Sequence, residues 1–297
     1  MLLRLALRTA ERLASVLPAA VAYGLADLAG DAWRRLAPAR RRLVAANLAR
    51  VCLATGRDAA GRRFDRLVRD AFRSHARYYL ELLRAPSYEP SRVGEIIEVR
   101  GWDDVLAPHI VGRPAILVSW HLGSFEPFAT FLAEKGLRPM APIEEIRPAA
   151  LFEFLTESRA RGAVDVVPLS SARRPLTRRL REGGLVAIIG DRDLAGDGQA
   201  VSVFGHATTM PIGPAALALA NGASIVAGRC LRVGPDRFLV EGSPIEVIAS
   251  GDRRADVAAT VAALAARLET DIAAAPEQWW GAFQPYWPDL DPAVDRA

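Results

Sequence analysis

The chain has only four histidines in 297 residues, and one of them stands where an imidazole can do chemistry. His121 directly follows an apolar run in PAILVSWHLGSFEPF, the pattern of a buried strand ending in an ionisable side chain. In α/β sheets, ligands gather at the carboxyl ends of strands. Gly123 and Ser124 supply a turn, with Ser124 a plausible N-cap, and Glu126 and Pro127 suit the first turn of the helix that follows. On one continuous helix, residues five apart point about 140° away from each other. Across a strand–turn–helix corner, Glu126 can instead fold back on one imidazole nitrogen, fixing the tautomer and stabilising the imidazolium. The other nitrogen is then free to take a proton from a hydroxyl. No nucleophilic side chain is required, because the acceptor hydroxyl itself can attack an acyl donor held beside it.

A second ionisable group ends another apolar run. Asp191, Arg192 and Asp193 follow VAIIG, so parallel strands would bring them to the same sheet edge as His121. They are expected to bind sugar hydroxyls or to buttress the His121–Glu126 pair. Asp191, Asp193 and Asp197 resemble the start of a calcium loop, but Ala195 occupies a needed ligand position and no bidentate Glu closes it, so no metal is expected. Arg147 and Arg159 are candidates for gripping phosphates through charge-assisted hydrogen bonds. His75 lies on an apolar helical face and reads as structural, and His109 and His206 read as loop residues. Trp279 and Trp280 suit either an acyl chain or ordinary packing.

Residues 1–84 read as helices throughout. In the segment 58–84, Phe64, Leu67, Val68, Ala71, Phe72, His75, Tyr78, Tyr79 and Leu82 recur at helical spacing. Pro86 and Pro90 close that region, and the rhythm then changes. Short apolar runs at 96–99, 115–119, 138–143, 164–168, 185–189, 223–227 and 238–241 predict strands. Between and after them, 125–135, 148–161, 174–182, 213–221 and 255–274 predict helices. The fold class is therefore α/β, with a central mixed, largely parallel sheet, helices on both faces and an N-terminal helical extension. Residues 1–90 form a basic, membrane-associating segment and 91–297 the α/β core, together one structural domain.

Apolar residues make up 51% of the chain and its net charge is +4, with mean hydropathy +0.12. The charge is unevenly placed: residues 1–84 carry a net +10 and the remainder a net −6. A basic face of this kind suits an anionic membrane surface, and nucleic acid is not expected as a partner. The uncharged stretch Leu13–Ala26 is too short to span a bilayer, which needs about 20 apolar residues, but long enough to lie at an interface. Cys52 and Cys230 lie far apart without metal-type spacing, so a reducing compartment is expected.

The His121–Glu126 segment resembles the H-x4-D/E motif of glycerolipid-type acyltransferases, and more closely that of the bacterial lipid A late acyltransferases. Within that group the chain is most similar to the actinobacterial phosphatidylinositol mannoside acyltransferases. The likeness continues in order through EEIRPAALFEFLTESR, GLVAIIGDRDLAGDG, VFGHATTMPIGPAALAL and PEQWW. It implies transfer of a long-chain acyl group from acyl-CoA to a mannose hydroxyl of a membrane glycolipid. It also implies His121 as base, Glu126 as its orienter, no covalent acyl-enzyme and no cofactor. The Gram-negative members usually have a clearer N-terminal membrane anchor, so peripheral binding at the cytoplasmic face of the plasma membrane is expected from residues 1–84 of this sequence rather than from the resemblance. Lipid A or a lysophospholipid as acceptor, with an acyl carrier protein as alternative donor, stays open. So does a non-catalytic lipid-binding protein. An esterase is disfavoured, since no G-x-S-x-G elbow occurs.

Overall fold

The computed structural model describes residues 2–291. Four helices come first: α1 (Leu2–Val16), α2 (Ala19–Leu36), α3 (Pro38–Ala54) and α4 (Gly61–Arg84). On α4 the buried positions Val68, Ala71, Phe72, His75, Tyr78 and Leu82 lie three or four apart, as an amphipathic helix requires. Two single-turn helices, α5 (Val93–Ile96) and α6 (Ala107–Ile110), flank β1 (Ile97–Val99) and a π-helical turn at Trp102–Leu106.

The core alternates from there: β2 (Ala115–Ser119), α7 (Glu126–Glu134), β3 (Met140–Ile143), α8 (Ala149–Arg161), β4 (Asp165–Pro168), α9 (Arg173–Arg181) and β5 (Leu185–Ile189). A separate antiparallel hairpin, β6 (Gln199–Val203) and β7 (His206–Met210), precedes α10 (Gly213–Asn221), β8 (Ser224–Gly234), β9 (Arg237–Ile245) and α11 (Arg253–Ala274). Seven strands form one sheet in the order β1-β9-β8-β2-β5-β3-β4. Every pairing is parallel except β8–β9, so the mixed, largely parallel sheet expected from the sequence is the one found.

Alternation along β2 divides the core. Ile116 and Val118 face one layer with Leu176 and Leu180 of α9, Ala215 of α10 and Leu264 of α11. Ala115 and Leu117 face the other with Ile110 of α6 and Leu132 of α7. Val44 and Leu48 of α3 and Phe72 of α4 belong to the first layer, so the N-terminal helices share a core with the sheet.

Several expectations are corrected in detail. The 223–227 strand runs on to Gly234 and turns back as a long hairpin. The β6–β7 hairpin went unforeseen, because its alternation of small and polar residues is weak. His206 opens β7 and His109 sits in α6, rather than in loops.

Several of the N-terminal arginines are taken up by carboxylates within the protein. Arg73 and Arg77 fork onto Asp31 and Asp27, Arg84 onto Asp236, and Arg4 and Arg8 reach Glu157 of α8. Deeper still, Arg232 of β8 forms a two-pronged ion pair with Glu81 of α4, and both side chains are almost wholly buried. This pair locks the helical segment to the sheet. Removing one partner of a buried pair strands a charge, at a cost of about 3–5 kcal/mol, whereas replacing both by apolar groups is often neutral. Arg232→Met is therefore expected to destabilise the protein by about that amount, and adding Glu81→Leu to recover most of it, as read by chemical denaturation.

Candidate active site

The site is built on the parallel register of β2 and β5. Ser119 lies opposite Ile189, and the Gly190 amide donates to the Ser119 carbonyl at 2.8 Å. Two residues past each strand end, His121 and Asp191 therefore meet side by side. Asp191 accepts a 3.1 Å hydrogen bond from the His121 amide through one oxygen and contacts ring Nδ1 at 2.6 Å through the other. The carboxylate is 1% exposed. With both oxygens committed to a single residue, it fixes the ring's position and its tautomer together. Nε2 has no hydrogen-bond partner among the described residues, and the ring lines an open groove of about 1510 Å³.

The loop after His121 is held as firmly. Gly123 has φ +65°, and a Cβ there would fall 2.0 Å from the Cys230 carbonyl oxygen, so only glycine fits. Its amide donates to Gln278, the Ser124 amide donates to Cys230, and the Gly281 amide donates back to the His121 carbonyl. Trp280 stands edge-on to the imidazole with ring centres 4.5 Å apart. It donates from Nε1 to the Gly123 carbonyl at 3.2 Å and stacks on Tyr78 at 4.4 Å. Trp279, by contrast, is wholly buried in the core. The expected Ser124 cap does not form: Phe125 precedes α7 without a side-chain cap, and the Ser124 hydroxyl is buried without a partner.

Glu126 corrects the main expectation. It does not fold back on His121; it turns into the protein, where Arg159 of α8 lies 3.4 Å away. The physical reason is the corner itself. The imidazole points along the strand edge toward β5, while the first turn of α7 aims its side chains beneath the helix. Burial pushes the Glu126 carboxyl above its ordinary range, opposed by the Arg159 guanidinium, and Oε2 has no partner. Arg159 also lies over the Phe125 ring at 5.4 Å.

Glu126, Arg159 and Phe125 mark the junction of two spaces. Phe125, Pro142, Arg159 and Ile189 line both the His121 groove and a second, apolar cavity of about 150 Å³ under α7. Basic side chains dominate the groove. Besides Arg159 and Arg192, α9 contributes Arg173, Arg174, Arg178 and Arg181. Of the remaining expected residues, Arg192 reaches the groove and lies 3.8 Å from Glu144. Asp193 is spent on its own loop, accepting from the Gly196 and Gly198 amides. Arg147 is exposed and does not line the groove. The sequence alone does not single out the α9 arginines, and it leaves Trp280 between an acyl chain and ordinary packing. The RRPLTRRLR run was a visible signal for the former.

A strand-edge histidine clamped by a carboxylate therefore stands beside a basic groove and an apolar cavity. Comparison with known proteins gives the family. The chain belongs to the bacterial lipid A biosynthesis acyltransferase family, whose model matches residues 8–287, and it is an O-acyltransferase. It is 32% identical over 227 residues to a phosphatidylinositol mannoside acyltransferase of Mycolicibacterium smegmatis, covering 75% of this chain and 73% of that protein. Proteins of the same name from two Mycobacterium tuberculosis strains are 30% identical over 230 residues, covering 75% of this chain and 71% of theirs.

The geometry separates the two carboxylates. In an acyl-transfer assay, Asp191→Asn is expected to lower turnover by about 10²-fold or more, on the scale of losing a positioned base, with substrate affinity little changed. Glu126→Gln keeps the Nδ1 contact intact and is expected to cost less. Equal losses from two well-folded variants would return the orienting role to Glu126.

Proposed function

We propose that the protein transfers a long-chain acyl group from acyl-CoA to a mannose hydroxyl of a phosphatidylinositol mannoside glycolipid. The observation that carries this reading is the meeting of the two spaces beside His121. The apolar cavity suits an acyl chain, the basic groove suits the phosphates of the CoA nucleotide and of the acceptor, and a thioester held at their junction would lie on the His121 side of the groove. Phosphate recognition by guanidinium groups is charge-assisted, and α9 alone presents four such groups to the groove. The names of the mycobacterial relatives support the acceptor class.

In this mechanism His121 Nε2 takes the proton of the acceptor hydroxyl as its oxygen attacks the thioester carbonyl. Asp191 holds Nδ1–H and stabilises the imidazolium that forms. The tetrahedral intermediate collapses with cleavage of the carbon–sulfur bond, and the imidazolium proton passes to the departing CoA thiolate. The ester is formed in one displacement on the enzyme, with no acyl-enzyme, and the imidazole ends neutral for the next cycle.

The acceptor lies in a bilayer, and the N-terminal helices are suited to meet it. On α1, Leu2, Leu5, Leu13 and Val16 are exposed at helical spacing, and on α2 Val21, Leu25, Leu28 and Leu36 repeat the pattern. No helix among the described residues is long and apolar enough to cross a membrane. An apolar stripe of this kind lies in the interface plane. Arg34, Arg41, Arg42, Arg62 and Arg66, which make no ion pair among the described residues, surround a pocket between α2, α3 and α4. They supply attraction to an anionic leaflet at the cytoplasmic face of the plasma membrane.

Two measurements test the reading. Purified protein given palmitoyl-CoA and a phosphatidylinositol mannoside is expected to yield an acylated glycolipid by mass spectrometry, and His121→Ala to lower its rate by about 10²–10⁴-fold. Transfer to a lipid A precursor but not to the mannoside would contradict the acceptor. Leu25→Asp with Leu28→Asp is expected to abolish flotation with anionic liposomes while leaving transfer to detergent-dispersed acceptor largely intact. Undiminished flotation would remove the stripe from the membrane contact.

A further inference from the structure

We propose that Gly242 on β9, together with Leu106, sets the length of acyl chain that the enzyme accepts. The inference rests on the reading of the apolar cavity as the acyl site, and it concerns the end of that cavity remote from His121. The residues the cavity shares with the groove lie toward β5 and β3: Pro142, Ile188 and Ile189, with Phe125 and Arg159 beside them. On the opposite side it runs under α7, past Leu117 and Val226, to Val240 and Gly242 of β9 and to Leu106 and Ile110. The order β5-β2-β8-β9 puts three inter-strand spacings between the two ends, about 14 Å in all. A chain that enters at the shared end, between Phe125 and Ile189, and runs beneath α7 points its methyl end at β9.

That end is open because residue 242 has no side chain. Gly242 faces Gly228 across the antiparallel β8–β9 ladder. A Cβ on 242 would project onto Leu106 Cδ2 at 3.2 Å, with Ala227 O and Val226 Cγ1 at 3.4 and 3.5 Å. The first neighbour is the tip of a flexible side chain, so a small residue fits after a slight shift, and a branched one takes volume from the cavity. The strand backbone does not demand glycine here, since Gly242 lies outside the positive-φ residues. Leu106 is 1% exposed and forms the wall that such a side chain would press upon. Conformational freedom therefore does not explain the glycine, and the space it leaves does.

Each methylene excluded from an apolar site forfeits about fourfold in binding, from roughly 0.8 kcal/mol per buried CH₂. Valine in place of Gly242 adds three carbons at that end. The ratio of kcat/KM for palmitoyl-CoA over decanoyl-CoA is thus expected to fall at least tenfold in Gly242→Val, with decanoyl transfer retained. Leu106→Ala should move the ratio of stearoyl- over palmitoyl-CoA the opposite way, and Gly242→Ala should fall between wild type and valine. The experiment is an acyl-CoA series from eight to eighteen carbons given to wild type and the three variants, each checked for an unaltered far-ultraviolet dichroism spectrum. If Gly242→Val does not fold, Gly242→Ala and Leu106→Ala decide the matter. Wild-type activity with an unchanged chain-length profile in every folded variant would overturn the inference and leave the acyltransferase reading standing. Absence of wild-type transfer from every thioester would instead remove the reading beneath it.

Discussion

The contact between Asp191 and the His121 ring is the interaction on which the rest of the site depends. It exists because β2 and β5 are adjacent, parallel and in register, so that residues two past each strand end arrive together. An antiparallel pairing, or a one-residue slip, would send one of the two side chains to the wrong face. Much of the surrounding structure defends that register. The Gly190 amide extends the ladder beyond the strands, the Gly281 amide ties down the His121 carbonyl, and Gly123 lets the chain pass against Cys230 where a side chain would collide.

The second constraint is what becomes of Glu126. A buried carboxylate without good partners is costly, yet this one keeps an unpaired oxygen and meets Arg159 only at 3.4 Å. Its position beneath α7 holds Arg159 at the junction between the polar groove and the apolar cavity. The guanidinium is thus placed over Phe125, with one side toward the groove. In the proposed reading, positioning a cation at that junction is the part the motif carboxylate plays, without passing through the imidazole. The motif spacing then reflects a corner geometry in which histidine serves the strand edge and glutamate serves the helix underside.

Much of this was legible in the sequence, and the failures are instructive. Near-continuous apolar runs ending in His121 and Asp191 marked both strands and the edge they share, because parallel strands buried on both faces leave an unbroken apolar signature. The direction of a side chain at a strand–helix corner was not legible. Five residues of separation between His121 and Glu126 allowed contact without requiring it, and the decisive partner lay 70 residues away in sequence. The β6–β7 hairpin was not legible because QAVSV and HATTM mix small and polar residues with only a weak alternation. The basic excess of residues 1–84 was visible, but not its division between arginines that fork onto carboxylates and those that face solvent, which the packing of α4 against α2, of α1 against α8 and of Arg84 against Asp236 decides.

The most direct test of the account is the tautomer of His121. Nitrogen-15 NMR of uniformly labelled protein, with the His121→Ala spectrum assigning the signal among the four histidines, reports which ring nitrogen carries the proton in the neutral form. Asp191 at Nδ1 predicts the Nδ1–H tautomer with a bare Nε2, and loss of that preference in Asp191→Asn. A neutral ring protonated on Nε2, unchanged by the Asp191 substitution, would contradict the arrangement from which the whole mechanism is drawn.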